Sequence, residues 1–160
     1  MGGKLSDLLG EDALGRLVEN SVSEGDVYRM HLGDEENVRA KHEGDDGRNK
    51  YFVVLGHDNE GNAIGLVLIN TKINTSLPQK RKDMHYELRA EKYDFLNGRK
   101  RYVDCSDFKI IAKSKFTRLF GGSAKGKIED DDLRLIREAV ATYEDTPKVM
   151  IHRFGLNRND

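Results

Sequence analysis

A chain of 160 residues has the size of one ordinary domain and can bury a core without disulfides or a structural metal. Hydrophobic residues at 37% beside charged residues at 34% exclude a disordered chain, which lacks apolar material for a core. A single cysteine, Cys105, and the lack of any unbroken apolar run argue against a disulfide framework, a paired-cysteine zinc site, a signal peptide and a membrane span, so a soluble cytoplasmic protein is expected.

Residues 5–19 space Leu9, Leu14, Leu17 and Val18 along one helical face, which predicts a short amphipathic helix weakened by Gly10 and Gly15. From Gly25, Val27, Arg29 and His31 alternate with Tyr28, Met30 and Leu32 in the two-residue period of a strand. Residues 33–50 hold ten charged side chains and three glycines, the composition of a long mobile loop. YFVVLGHD and AIGLVLIN, joined by NEGN, predict a β-hairpin.

Beyond Pro78 a strand is expected at 84–88, then a turn at Asn97–Lys100, then strands through RYVDC, where Cys105 reads as a buried strand residue, and through FKIIAKSKF. Glycines between 121 and 126 mark a loop. IEDDDLRLIREAVATYE opens with acids suited to a helix N-terminus and sets Leu133, Ile136 and Val140 on one face. The tail offers a short helix after Pro147 with Val149, Ile151 and Phe154 as its apolar residues. This order predicts a mainly β, α+β fold: a small barrel of five to seven strands with helices at its ends.

The net charge of −1 conceals segregation. Residues 1–47 carry 5 basic and 12 acidic side chains, whereas residues 72–127 carry 15 and 6. Clustered Lys and Arg displace counterions from a phosphate backbone, so the basic half hints at nucleic acid. Lys80, Arg81 and Lys82 follow Pro78, and Arg99, Lys100 and Arg101 form a second cluster; these six are the expected phosphate contacts of a nucleic acid. No HExxH, acidic cage or Cys-His cluster suggests a metal, Lys125-Gly126-Lys127 lacks P-loop spacing, and no cofactor is expected.

Several segments in order resemble the MazF/PemK toxins, a family to which ToxN-like toxins are related. Gly25-Asp26-Val27-Tyr28 is similar to the family's opening strand, Arg48 before YFVVLG to its arginine and second strand, and GLVLINTKI to its third. Leu77-Pro78, HYEL at 85–88, Lys92-Tyr93, VDCSDFKIIAKSKF and GKIEDDDLRLIREAV follow in the family's order. The resemblance spans residues 25–143, with a helical extension at 1–24 and a tail or short helix at 144–160.

The resemblance implies an SH3-like, CcdB/MazF-type barrel and a metal-independent endoribonuclease that cuts single-stranded RNA with the substrate's own 2′-hydroxyl, leaving a cyclic phosphate and a 5′-hydroxyl. It implies growth inhibition countered by a protein antitoxin, with an RNA antitoxin as the other form, and a homodimer. Arg48 takes the place of the catalytic arginine, whose planar, permanently charged fork suits a phosphorane. A Ser or Thr usually ends the third strand; here Asn70 stands there beside Thr71. His85 matches a histidine in some relatives, and His31 joins it because imidazole titrates near neutrality. The alternative is a catalytically inactive barrel that binds nucleic acid or protein.

Overall fold

In the computed structural model, residues 10–157 are described, except for the side chains of Glu11 and Asp12; Leu9 of the expected first helix lies outside them. Helix α1 (Glu11–Ser21) leads into β1 (Asp26–Gly33), which turns through a 3-10 segment (Asp34–Glu36) and an irregular stretch into β2 (Gly47–His57) and β3 (Ala63–Asn70). A short α2 (Gln79–Lys82), β4 (His85–Leu88), a 3-10 turn (Asp94–Leu96), β5 (Arg101–Asp104) and β6 (Lys109–Ala112) follow. Helix α3 (Lys113–Leu119), a two-residue β7 (Gly126–Lys127), α4 (Asp130–Thr142) and α5 (Lys148–Arg153) complete the described fold.

The strands form one antiparallel half-barrel sheet in the order β4-β5-β3-β2-β1-β7, with β6 also on β3. Strand β3 is the hub. One edge pairs with β2, while the other takes β6 along Ala63–Leu66 and β5 at Ile69 and Asn70.

Alternation sends successive side chains to opposite faces, and helices cover both. Tyr28, Met30, Leu32, Phe52, Val54 and Leu66 meet Leu14 and Val18 of α1 and Phe116 of α3. Val27, Val53, Leu55, Val67 and Ile69 meet Ile136 and Val140 of α4 together with Phe154 and Leu156 of the tail. Burial on both faces explains why β2 and β3 read as nearly unbroken apolar runs. Leu14, Val18 and Val22 near the start of the described chain and Phe154 and Leu156 near its end are thus part of the packed core.

Three expectations are corrected. KSKF was expected to continue a strand, but the chain turns helical at Lys113, which puts Phe116 and Phe120 one helical turn apart in the core. The charged stretch 33–50 was expected to bury nothing and to be a long loop; instead β1 and β2 stay paired out to Gly33 and Gly47, and Glu36 and Val38 are buried. Glu36 accepts from the Gly33 amide at 2.9 Å and pairs with Lys115 at 2.7 Å, so its burial is compensated. Val149, expected on the apolar side of α5, is 66% exposed. Cys105 is buried as expected, but just past the end of β5.

Where β2 and β3 shift register, Gly56 faces Gly65. A β-carbon on Gly56 would lie 2.5 Å from the Phe154 carbonyl oxygen, and one on Gly65 2.4 Å from the Phe108 ring. The two glycines form the groove that seats the tail. Gly56→Ala is therefore expected to lower stability by about 1 to 3 kcal/mol through overpacking, read by urea denaturation; unchanged stability would show that the tail does not press on β2.

Candidate nucleic-acid interface

Strand β3 ends at Asn70 and the chain turns away through residues 71–77. The β2–β3 ladder starts at Tyr51↔Ile69, so residues 47–50 of β2 pair with β1 alone. The resulting gap opens a cleft of about 1010 Å³. It wraps round the edge of β2, so Arg48 and Lys50 line it from one face of the strand and Asn49 and Tyr51 from the other.

Eight cationic side chains line the cleft: Arg29, Arg39, Arg48, Lys50, Lys72, Arg81, Arg101 and Lys109. Its acids are Asp104 and Asp107, and both are engaged. Asp104 pairs with Arg81 at 3.3 Å and accepts from the Ser106 hydroxyl at 2.6 Å; Asp107 pairs with Lys109 at 3.1 Å. Lys109 also donates to the Glu36 and Asn37 carbonyls at 3.0 and 2.9 Å, which ties the turn after β1 to β6. Arg39, Arg48 and Lys72 make no ion pair or hydrogen bond among the described residues. Their charge faces solvent uncompensated, which suits a polyanion.

Lys50 was not singled out from the sequence. Its ammonium donates to Asn70 Oδ1 at 2.6 Å. Partial burial, reinforced by the neighbouring charges of Arg48, Arg101 and Lys109, pushes its pKa down to about 8. An amine that exchanges a proton close to neutral pH, beside an exposed arginine, is the pair of properties that proton transfer at a phosphate requires.

Arg48, Asn70, Thr71 and His85 all line the cleft, as do Arg81 and Arg101. Asn70 and Thr71 both reach it because β3 stops at Asn70 and strand alternation no longer binds Thr71. The His85 side chain is 1% exposed and donates through Nδ1 to the Arg81 carbonyl at 2.9 Å, with Nε2 3.8 Å from Asp104. This histidine supports Arg81.

His31 lies outside the cleft lining, held by Asp46 at 2.8 Å and Asn49 at 3.3 Å. Lys80, Lys82, Arg99 and Lys100 also fall outside. Lys80 pairs with Asp145 at 2.8 Å and Glu144 at 3.3 Å, joining α2 to the segment after α4. Neither a protein-family model nor a curated protein matches the chain.

Two other reactive groups have structural duties. The buried Cys105 thiol is pushed up to about 12 by burial, so it is protonated and inert as a nucleophile. Glu129, Asp131 and Asp132 cluster at the start of α4, where the Lys92 ammonium lies 3.0, 3.1 and 2.9 Å from them. Tyr86 and Tyr93 both donate to Asp132, which ties α4 to β4.

Nuclear magnetic resonance of the lysine side chains should give Lys50 a midpoint near 8. Arg48→Ala and Arg101→Ala should each move that midpoint upward, because each removes a repelling charge. A wild-type midpoint at the ordinary lysine value would refute the electrostatic account of the cleft.

Proposed function

We propose that the cleft binds single-stranded RNA and cleaves it by attack of the substrate's 2′-hydroxyl on the adjacent phosphate. The observation that carries this reading is the convergence of the exposed Arg48 and the proton-exchanging Lys50 at the end of β3. The first came from the resemblance to MazF/PemK toxins and the second from geometry.

In the proposed reaction neutral Lys50 accepts the 2′-hydroxyl proton as the oxygen bonds to phosphorus, and Asn70 Oδ1 orients the amine. Arg48 binds the non-bridging oxygens and stabilises the charge that builds on the phosphorane. The P–O5′ bond breaks, O5′ takes a proton from solvent or from a cleft cation, and the products are a 2′,3′-cyclic phosphate and a 5′-hydroxyl. No metal or cofactor takes part. Arg81, Arg101 and Thr71 hold the flanking phosphates, and His85 positions Arg81.

On this reading the half-barrel sheet is an SH3-like barrel of the CcdB/MazF type. The protein is then a cytoplasmic growth inhibitor, a homodimer silenced by an antitoxin. A barrel that binds RNA without cutting it is the second reading, favoured by Asn70 where a hydroxyl residue is usual.

A fluorogenic RNA incubated in EDTA separates the two. Wild type should cleave, and Arg48→Ala and Lys50→Met should each lose about 100-fold or more in kcat/KM. A substrate with 2′-deoxyribose throughout should resist. Because Lys50 must be unprotonated to act, kcat/KM should fall about tenfold per pH unit below about 8 and level off above it. Cleavage undiminished in both variants, or cleavage of the 2′-deoxy strand, refutes the mechanism; binding without cleavage establishes the second reading.

A further inference from the structure

Tyr51 follows Lys50 on β2 and so leaves the strand on the opposite face, yet it lines the same cleft. Its ring is flanked by two guanidinium groups: Arg101 from β5, 5.3 Å from the ring centroid, and Arg29 from β1, 5.7 Å away. Both guanidiniums lie over the ring within cation–π range, and Tyr51, which packs against the core beneath it, is half-buried.

This tyrosine differs from most others in the chain. Tyr28, Tyr86, Tyr93 and Tyr143 each give their hydroxyl to an aspartate, as anchoring tyrosines do. The Tyr51 hydroxyl makes no hydrogen bond among the described residues, and neither Arg29 nor Arg101 has a carboxylate partner there. Two like charges beside one ring, without a counter-ion, repel each other until an anion arrives. Arg101 also links this patch to the phosphate side of the cleft, because its charge is felt at Lys50. An aromatic face between cations that can reach phosphates is the arrangement that holds an unstacked nucleotide: the base lies on the ring and the backbone meets the guanidiniums.

We propose that Tyr51, with Arg29 and Arg101 beside it, is a nucleobase subsite that stacks one unpaired base of the strand whose phosphate lies at Arg48 and Lys50. The subsite rests on the RNA reading of the cleft but not on its chemistry. A base within a duplex has no open face to offer, so the subsite confines the cleft to single strands.

The test is binding of a labelled, uncleavable 2′-deoxy single strand, followed by fluorescence anisotropy, beside an abasic strand of the same length. Wild type should bind the base-bearing strand about tenfold more tightly than the abasic one. Tyr51→Leu should remove that preference and leave abasic binding unchanged, whereas Tyr51→Phe should keep it. Equal wild-type affinity for the two strands overturns the subsite without recourse to a variant, and so does a Tyr51→Leu loss of equal size on both. Either result leaves RNA cleavage at Arg48 and Lys50 standing. Failure of wild type to bind either strand at low salt overturns the subsite and the RNA reading together.

Discussion

Strand β3 has only two edges, and the fold asks three strands to share them. Strand β2 takes one edge, and β6 and β5 divide the other between its first and second halves. The sheet bends where β6 gives way to β5, because the chain must leave one and re-enter as the other around the same strand. The ladder with the hub ends at Tyr51↔Ile69, while β2 continues another four residues to Gly47 paired on one side only. That mismatch in length creates the cleft. It also lets one groove collect side chains from both faces of β2, which a fully paired strand could not offer.

The charges follow from the same geometry. The acidic first third of the chain supplies partners at a distance: Glu19 to Lys113, Glu36 to Lys115, Asp26 to Lys127 and Asp46 to His31. The pairings of Glu36 and Asp26 satisfy buried carboxylates, whereas those of Glu19 and Asp46 lie at the surface, and most sit at the helix and strand ends that close the fold. None reaches the gap beside β3. Arg39, Arg48 and Lys72 there have no carboxylate partner among the described residues, and the half-buried Lys50 feels the neighbouring cations as a lowered pKa. A net charge near zero therefore coexists with a strongly basic cleft, since neutralisation is local.

Much of the fold was legible because its signals are local. The β-branched density of YFVVLG and LVLIN, and the helical spacing of Leu14 with Val18 and of Ile136 with Val140, require no knowledge of the rest of the chain. The helix at Lys113 was not legible in the same way. KSKF alternates like a strand, and only the core made by Tyr28 and Phe52 from β1 and β2 selects the helical spacing of Phe116 and Phe120. Arg48 came from the resemblance, but its neighbours Lys50 and Tyr51 looked like the end of a charged loop and the start of an apolar strand. Their importance depends on where β3 stops, a non-local fact. The lone signal in the sequence was the two-residue spacing of Arg48 and Lys50, which puts both on one strand face. For the same reason, the clusters at 80–82 and 99–101 divided: only Arg81 and Arg101 turn into the cleft, while Lys80 is drawn to Glu144 and Asp145.

Asn70 gains meaning from this arrangement. A hydroxyl there could accept a hydrogen bond from Lys50 and donate one to a phosphate, but it has a single donor hydrogen, whereas a carboxamide has two apart from its acceptor oxygen. The carboxamide separates the roles: Oδ1 holds the amine at 2.6 Å, and the Nδ2 group keeps two donor hydrogens. A carboxylate in the same place would also orient Lys50, but its charge would raise the lysine's pKa and repel a phosphate. A neutral acceptor keeps the amine aligned while leaving burial and the surrounding cations in control of its proton. On the proposed reading, Asn70 is compatible with catalysis because Lys50, rather than the residue at position 70, carries the proton.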